Sequence, residues 1–208
     1  GPTIFACEGD VEFVAAGAGF AGYSWSTGDS TQGIEIIETG TYAVTVTDSL
    51  GCEGFGFIQA IFTPNPEVDL GADISACEGD IVTLDAGQGF DSYLWITGEQ
   101  TQLIQVSQTG TYTVTVGDSL GCIGSDTIDV IFNPNPIVNL GPDILACPGQ
   151  PITINAGTGF ANYQWSTGEQ TQSIIVTAAI CYSVTVTDSN GCVGSDTVQV
   201  DIAPQITF

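Results

Sequence analysis

The cysteines are the residues whose type and spacing most directly predict chemistry in this chain. Six of the seven form two series with a step of 70 residues, and one member of each series falls in every repeat, 45 residues apart. A constant separation of this kind fits one disulfide per repeat, which would contribute roughly 3–4 kcal/mol to a unit too small to depend on its core alone. A metal site is disfavoured because the chain has neither a CxxC motif nor a histidine. The predicted pairs lie within the repeats and need an oxidising compartment: Cys7 with Cys52, Cys77 with Cys122, and Cys147 with Cys192.

The seventh cysteine, Cys181, lies outside both series. It stands where the other repeats carry Thr41 and Thr111, and the three residues before it, Ala-Ala-Ile, also depart from the repeat pattern. Two interpretations stay open. Cys181 is either a tolerated free thiol at a drifted turn or part of an apolar contact patch that crosslinks to another molecule.

The charge balance excludes several classes of function. The chain has 24 acidic residues, no Lys, Arg or His, and a net charge of −24. Binding to nucleic acid or to an anionic membrane surface is therefore disfavoured. A Ser or Cys nucleophile would lack its usual base, and no carboxylate pair stands out from the repeat background, so we predict that the chain is not an enzyme. No stretch approaches the ~20 apolar residues of a membrane span, which predicts no membrane insertion.

The carboxylates raise one cofactor hypothesis. Asp73, Glu78 and Asp80 cluster near a predicted domain junction, where calcium could stiffen the connection. The rival interpretation is that these carboxylates simply face solvent. Repeat 3 favours the rival, since it has Pro148 and Gln150 where Glu78 and Asp80 stand in repeat 2. Beyond calcium, no cofactor is predicted.

A Tyr and a Trp, two positions apart, recur in every repeat, as in Tyr93 and Trp95. Such pairs could form platforms that stack on sugars. We favour the alternative that each Trp fills the core of its domain.

The elements that would hold these residues are β-strands. In the second repeat Val82, Leu84 and Ala86 alternate with polar residues, and Tyr112 and Val114 begin a second alternating run. No helical periodicity appears. About seven short strands per repeat, separated by turns, predict an all-β sandwich.

The repeat divides the chain into three predicted domains. These are residues 1–64 (repeat 1, lacking its first strand), 65–134 (repeat 2) and 135–208 (repeat 3, with a C-terminal strand extending toward a next domain). The connections, Thr-Pro-Asn-Pro at 63–66 and Asn-Pro-Asn-Pro at 133–136, favour extended and semi-rigid linkers. Three tandem domains in a linear rod are the predicted architecture.

The two ends of the chain complement each other. Gly1 aligns with Gly71, so repeat 1 has no counterpart of residues 66–70. Ile206, Thr207 and Phe208 align with residues 66–68, where a further repeat would begin. Two explanations stay open. The chain is a fragment of a longer array, or these three residues donate the missing edge strand to repeat 1 of another copy.

The chain resembles the immunoglobulin-like or PKD-like tandem repeats of large secreted surface proteins of Bacteroidota-type bacteria, which include adhesins and gliding-motility-associated proteins. A Trp on the third strand and a Tyr two residues before a buried Val match the core Trp and tyrosine corner of immunoglobulin-like domains. The resemblance covers all three repeats. In repeat 2 the resembling motifs are Leu70-Gly71-Ala72-Asp73, Cys77-Glu78-Gly79, Tyr93-Leu94-Trp95, Thr109-Gly110-Thr111-Tyr112 and Asp118-Ser119-Leu120-Gly121-Cys122.

The resemblance implies an extracellular or cell-surface location and O-glycosylation at Asp-Ser/Thr motifs. The sites implied are Ser30, Ser49, Ser119, Thr127 and Thr197. Our functional prediction is a structural subunit or segment of an extracellular bacterial fibre, which self-associates head to tail. The alternative is an adhesive or carbohydrate-binding module of a large surface protein, whose partners would be extracellular glycans.

Overall fold

The computed structural model describes residues 1–204, and every regular element in this range is a β-strand. Each repeat forms six strands, where the sequence predicts about seven. Repeat 1 contains β1 (Thr3–Cys7), β2 (Glu12–Ala15), β3 (Gly22–Trp25), β4 (Gly33–Ile36), β5 (Gly40–Thr47) and β6 (Glu53–Thr63). Repeat 2 contains β7 (Ile74–Cys77), β8 (Val82–Asp85), β9 (Ser92–Trp95), β10 (Leu103–Val106), β11 (Gly110–Gly117) and β12 (Ile123–Asn133). Repeat 3 contains β13 (Ile144–Ala146), β14 (Ile152–Asn155), β15 (Asn162–Trp165), β16 (Ser173–Val176), β17 (Cys181–Thr187) and β18 (Val193–Ile202).

The strands of each repeat form one four-stranded and one two-stranded sheet. The orders are β1-β6-β5-β3 with β2-β4, β7-β12-β11-β9 with β10-β8, and β13-β18-β17-β15 with β14-β16. The alternation read from the sequence explains the packing: in β17, Tyr182, Val184 and Val186 point inward and are buried, while their neighbours do not. The protein is an array of tandem immunoglobulin-like β-sandwiches, as the sequence predicts.

The first strand of each four-stranded sheet runs parallel to the last. In repeat 1 the register places Thr3 opposite Gln59 and Cys7 opposite Thr63. The same pairing recurs between β7 and β12 and between β13 and β18. The end of the first strand therefore lies beside the end of the last strand, far from the hairpin at which the last strand begins.

The tryptophans that recur every 70 residues are core residues. Trp25, Trp95 and Trp165 are all buried, and each indole Nε1 donates a hydrogen bond of 2.8–2.9 Å to the carbonyl oxygen of a Thr six residues later. This confirms the interpretation of the Trp side chains as core, and it removes them as sugar platforms. The tyrosine corner is also present, since the hydroxyls of Tyr42 and Tyr182 donate to the carbonyl oxygens four residues earlier.

Two compact units emerge from the contacts within the chain. The first comprises Gly1–Gly71, Leu84–Ile104 and Tyr112–Ile128, and the second comprises Ala72–Thr83, Gln105–Thr111 and Asp129–Phe208. Each unit thus combines one terminal repeat with part of repeat 2. The repeat boundaries at 64 and 134 stay a prediction.

No helix in the part of the chain that the structure describes is long and apolar enough to cross a membrane.

Candidate assembly site

The cysteines pair across the repeats, and the prediction of within-repeat disulfides is wrong. Cys7 bonds to Cys122 and Cys77 bonds to Cys192, each over 115 residues and with 5.4 Å between the Cα atoms. The first bond lies in the first compact unit, and the second bond lies in the second unit. Each bond joins the first cysteine of one repeat to the second cysteine of the next.

The parallel strand pair explains the error. Cys7 lies beside Thr63 at the end of β6, whereas Cys52 directly precedes the start of that strand. An 11-residue strand is roughly 35 Å long, and a disulfide needs Cα atoms within about 7 Å. Within-repeat pairing is therefore impossible in this fold, and the same argument applies to Cys77 and Cys122.

Three thiols are left free, and all are exposed: Cys52, Cys147 and Cys181. Cys52 and Cys147 were predicted to be disulfide-bonded, so these two predictions are also corrected. Cys181 begins β17 beside Gln199. Its role as a tolerated thiol or as a crosslinking group stays open.

The turn before each second cysteine is the same in all three repeats. In repeat 2, Asp118 Oδ1 accepts hydrogen bonds from the backbone N–H groups of Leu120 and Cys122, both at 2.9 Å. Asp48 makes the corresponding bonds in repeat 1, including one of 2.9 Å to the N–H of Cys52. The free Cys52 is thus presented by the same turn that presents the bonded Cys122.

The segment after each linker, predicted as a strand, is irregular but docks onto the repeat that it precedes. We call residues 66–70 and 136–140 the leading segments of repeats 2 and 3. In repeat 2, the N–H of Leu70 donates a 2.7 Å hydrogen bond to Asp126 Oδ2. This bond and a second from the N–H of Thr127 lower the pKa of the Asp126 carboxyl, because both favour the carboxylate. Leu140 and Asp196 repeat the contact in repeat 3 at 2.7 Å.

A glycine marks the point where the leading segment crosses the sheet. A Cβ at Gly124 would collide with the carbonyl oxygen of Pro66, and a Cβ at Gly194 would collide with that of Pro136. In repeat 3 the leading segment also completes the core. Val138 belongs to the buried core of this repeat, and Leu140 packs against that core. Gly54 is the counterpart of these glycines in repeat 1, and there a Cβ would meet only Val46, at 3.3 Å.

Repeat 1 therefore has an open groove where the other repeats hold a leading segment. The groove has a volume of about 370 Å³. Its lining is apolar and includes Val14, Trp25, Tyr42, Val44, Val46, Phe55, Phe57 and Ile58. Val46 in repeat 1 is only half-buried, while its counterparts Val116 and Val186 are 0% exposed. The core of repeat 1 is incomplete without a covering segment.

The groove of repeat 1 is also more apolar than the equivalent surface of repeats 2 and 3. Residues 55–57 are Phe-Gly-Phe, where repeats 2 and 3 have Ser-Asp-Thr. Phe55 is 73% exposed and Phe57 is 48% exposed. Because Gly56 replaces the aspartate that anchors Leu70 and Leu140, repeat 1 exchanges a polar anchor for two aromatic side chains.

The remaining predicted site residues do not converge. Asp73 Oδ1 accepts the N–H of Asp129 at 3.0 Å, and Asp80 Oδ2 accepts the N–H of Cys77 at 2.9 Å. In residues 1–204 no group of three or more His, Cys, Asp or Glu side chains could hold a metal ion. Asp73, Glu78 and Asp80 thus do not form the calcium site that we considered.

The implied glycosylation sites and donor residues stay predictions. All five hydroxyl residues are exposed: Ser30, Ser49, Ser119, Thr127 and Thr197. Ile206, Thr207 and Phe208 lie outside the described residues.

The chain is similar to several solved structures at low sequence identity. The titin I-band fragment I67-I69 is 10% identical with a TM-score of 0.43, and the match covers 98% of this chain and 96% of that one. Sidekick-1 immunoglobulin domains 1-4 are 11% identical, with a TM-score of 0.33 and coverage of 98% and 74%. A Bacteroides ovatus mixed-linkage glucan utilization locus protein, SGBP-B, solved with a mixed-linkage heptasaccharide, is 15% identical, with a TM-score of 0.24 and coverage of 96% and 65%.

No protein-family model and no curated protein sequence matches the chain. The similarity to solved structures is too low to say anything about function.

Proposed function

We propose that this chain is a structural subunit or segment of an extracellular fibre in which copies join head to tail. The observation that carries the proposal is the open groove of repeat 1. Repeats 2 and 3 fill the equivalent place with their leading segments, and repeat 1 exposes apolar core residues there. An uncovered apolar groove beside a sheet is a ready acceptor for an extended segment of another molecule.

The chain also contains a matching donor sequence. Ile206, Thr207 and Phe208 align with residues 136–138, so Phe208 takes the place of the buried Val138. The donor carries Ile where the leading segments have Pro, and Phe where they have Val. Apolar donor residues thus match the apolar lining that Phe55 and Phe57 add to the groove.

Charge supports the same mode of assembly. With no Lys, Arg or His side chain, two copies cannot attract each other through opposite side-chain charges. Contact between copies must come from apolar burial and backbone hydrogen bonds, and dissolved cations must screen the repulsion between carboxylates. We expect assembly to strengthen as salt concentration rises.

The linkers support a stiff subunit. The side-chain amide of Asn65 donates a 3.1 Å hydrogen bond to the carbonyl oxygen of Glu8, and Asn135 donates one of 2.9 Å to that of Glu78. Each Pro-rich linker is thereby tied to the repeat that it leaves. We propose a linear rod on this basis, and the two disulfides favour an oxidising location outside the cytosol.

The sharpest test uses Gly54→Ala. In the single copy the new Cβ meets only Val46 Cγ2, at 3.3 Å, which a shift of a few tenths of an ångström relieves, so we expect the fold to be kept. In the fibre the same Cβ would collide with the donated backbone, as it would at Gly124 and Gly194. We expect normal folding by circular dichroism and loss of filaments in electron microscopy of non-reduced protein at neutral pH.

Gly22→Ser is the matched control. Gly22 lies in β3, away from the groove lining, and its counterparts Ser92 and Asn162 carry side chains. The control should assemble like the unmodified chain. Deleting Ile206, Thr207 and Phe208 should abolish filaments as Gly54→Ala does. Filaments that persist in both the deletion and the Gly54→Ala variant would contradict the donation mechanism.

The adhesive or carbohydrate-binding alternative has one observation in its favour. Repeat 1 exposes additional aromatics, Phe5 and Phe13, where repeat 2 has Ser75 and Thr83. Saturable glycan binding by single copies, lost on Phe5→Ser and Phe13→Thr with assembly unchanged, would favour this alternative.

A further inference from the structure

We propose that Cys147 of one copy forms a disulfide with Cys52 of the next copy and locks the fibre covalently. This inference rests on the head-to-tail assembly proposed above. It assigns a role to two thiols that the fold leaves free.

The chain's own disulfides supply the rule. Both join the first cysteine of one repeat to the second cysteine of the following repeat. Within this chain the rule gives no partner to Cys147 of repeat 3 or to Cys52 of repeat 1, and both thiols are free. When copies join head to tail, repeat 1 of the next copy follows repeat 3, and these two thiols become each other's counterparts.

Cys52 and Cys147 are each held by the same local structure as their bonded counterparts. The turn at Asp48 holds Cys52 as the turns at Asp118 and Asp188 hold the bonded Cys122 and Cys192, with Asp Oδ1 to Cys N–H distances of 2.9 Å in all three. On the other side, Cys147 directly follows β13, whose parallel register with β18 matches that of β7 with β12. Bond formation therefore needs docking of the copies, and no refolding of either turn.

The second cysteine of a repeat is buried where it is bonded and exposed where it is free. Cys122 is 1% exposed and Cys192 is 0% exposed, because each is covered in its bonded junction. Cys52, on the corresponding turn of repeat 1, is exposed. Docking of repeat 3 from another copy would bury Cys52 as its counterparts are buried.

A disulfide between copies would also compensate for the small surface area that the donated segment buries. A donor of a few residues buries far less than the roughly 1,200 Å² of a stable protein interface, so donation alone would give a weak contact. In the docked state the two thiols are held at a high effective concentration, which favours their bond over random crosslinks.

The chemistry balances with a small-molecule disulfide, such as oxidised glutathione, as the oxidant. The Cys147 thiolate attacks one sulfur of that disulfide and releases one thiolate, which leaves a mixed disulfide on Cys147. The Cys52 thiolate of the next copy then attacks Cys147 Sγ and releases the second thiolate. Two protein thiols are oxidised, one disulfide is reduced to two thiols, and the two protons pass to those products.

The test uses complementary variants in a Cys181→Ser background, so that Cys181 cannot contribute. One protein adds Cys52→Ser and keeps Cys147, and the other adds Cys147→Ser and keeps Cys52. Each alone, in a glutathione redox buffer, should stay monomeric on a non-reducing gel. Mixed in equal amounts they should give a covalent dimer and nothing larger, while the Cys181→Ser protein alone should give a ladder.

The outcomes separate this inference from the proposed function. Electron microscopy of a variant with all three free cysteines changed to Ser reports assembly without the lock. Filaments there, together with no ladder from the Cys181→Ser protein, overturn the disulfide and leave the fibre standing. Homodimers of either single variant as abundant as the mixed dimer also overturn the disulfide. Neither filaments nor a ladder would reject both proposals.

Discussion

At the scale of single residues, the aromatic side chains fix the centre of each sandwich through hydrogen bonds as well as burial. Tyr182 is 2% exposed, and its hydroxyl donates to the carbonyl oxygen of Ala178 at 3.2 Å. Removing the hydroxyl takes away one of the two donors to that carbonyl oxygen, the other being the N–H of Ile180 at 3.2 Å. The same bond recurs between Tyr42 and Glu38, where the Tyr is only partly buried.

Tyr182→Phe should therefore lower the free energy of unfolding by about 1 kcal/mol. Urea denaturation followed by Trp fluorescence measures it. The matched control is Tyr163→Phe, because the hydroxyl of Tyr163 bonds to Gly157 at an exposed position where water can replace it. We expect less than about half the effect there, and an equal loss in both variants would contradict a special role for the corner.

At the scale of elements, the leading segments act as removable parts of the sandwich. They are not strands, yet they supply core side chains and a backbone hydrogen bond to Asp126 or Asp196. A segment held by so few contacts can be exchanged between molecules more easily than a central strand. This is why we propose the groove of repeat 1, and not the sheet itself, as the place where copies join.

Val138→Ala should lower the free energy of unfolding by about 2 kcal/mol, because it removes two buried carbon atoms from the core of repeat 3. Thermal denaturation by circular dichroism, analysed with the urea data, gives the value. Ile137→Ala is the control from the adjacent position, where the side chain is 89% exposed, and it should change stability by less than ~0.5 kcal/mol. Equal losses would show that the leading segment does not complete the core.

At the scale of the whole molecule, the disulfide pattern distinguishes a chain of linked repeats from a row of separately stapled domains. A within-repeat pattern would secure each domain and leave the junctions free. In the observed pattern every bond spans a junction, so repeat 2 is bonded to both of its neighbours. Such a pattern lets the chain bear tension across its linkers, which suits a fibre.

Thiol titration with Ellman's reagent on non-reduced monomer tests this pattern directly. Three cysteines should react, namely Cys52, Cys147 and Cys181, and the number should stay at three in denaturant without reductant. Within-repeat pairing would leave only Cys181 reactive. Peptide mapping with an acidic-residue-specific protease completes the assignment, since the chain has no Lys or Arg for trypsin.

The sequence alone determined the features that depend on local alternation and on the repeat. Apolar residues at every second position of a strand, such as Val114 and Val184, predict that one face of the strand points inward. A Trp on the neighbouring strand, Trp95 or Trp165, predicts the centre of the sandwich core. The tyrosine corner could be read for the same reason, because its two partners lie four residues apart. Such signals persist in sequence because the contacts that they report are local, or are repeated in each domain.

Only the tertiary structure decided which cysteines meet and where the surface is open. Pairing within a repeat and pairing with the next repeat give the same period, so spacing cannot separate Cys7–Cys52 from Cys7–Cys122. The decision comes from the parallel register of β1 and β6, which carries Cys7 to the opposite end of β6 from Cys52. The groove of repeat 1 is likewise a property of three dimensions, since Val46 has the sequence pattern of a core residue and lacks only the segment that would cover it.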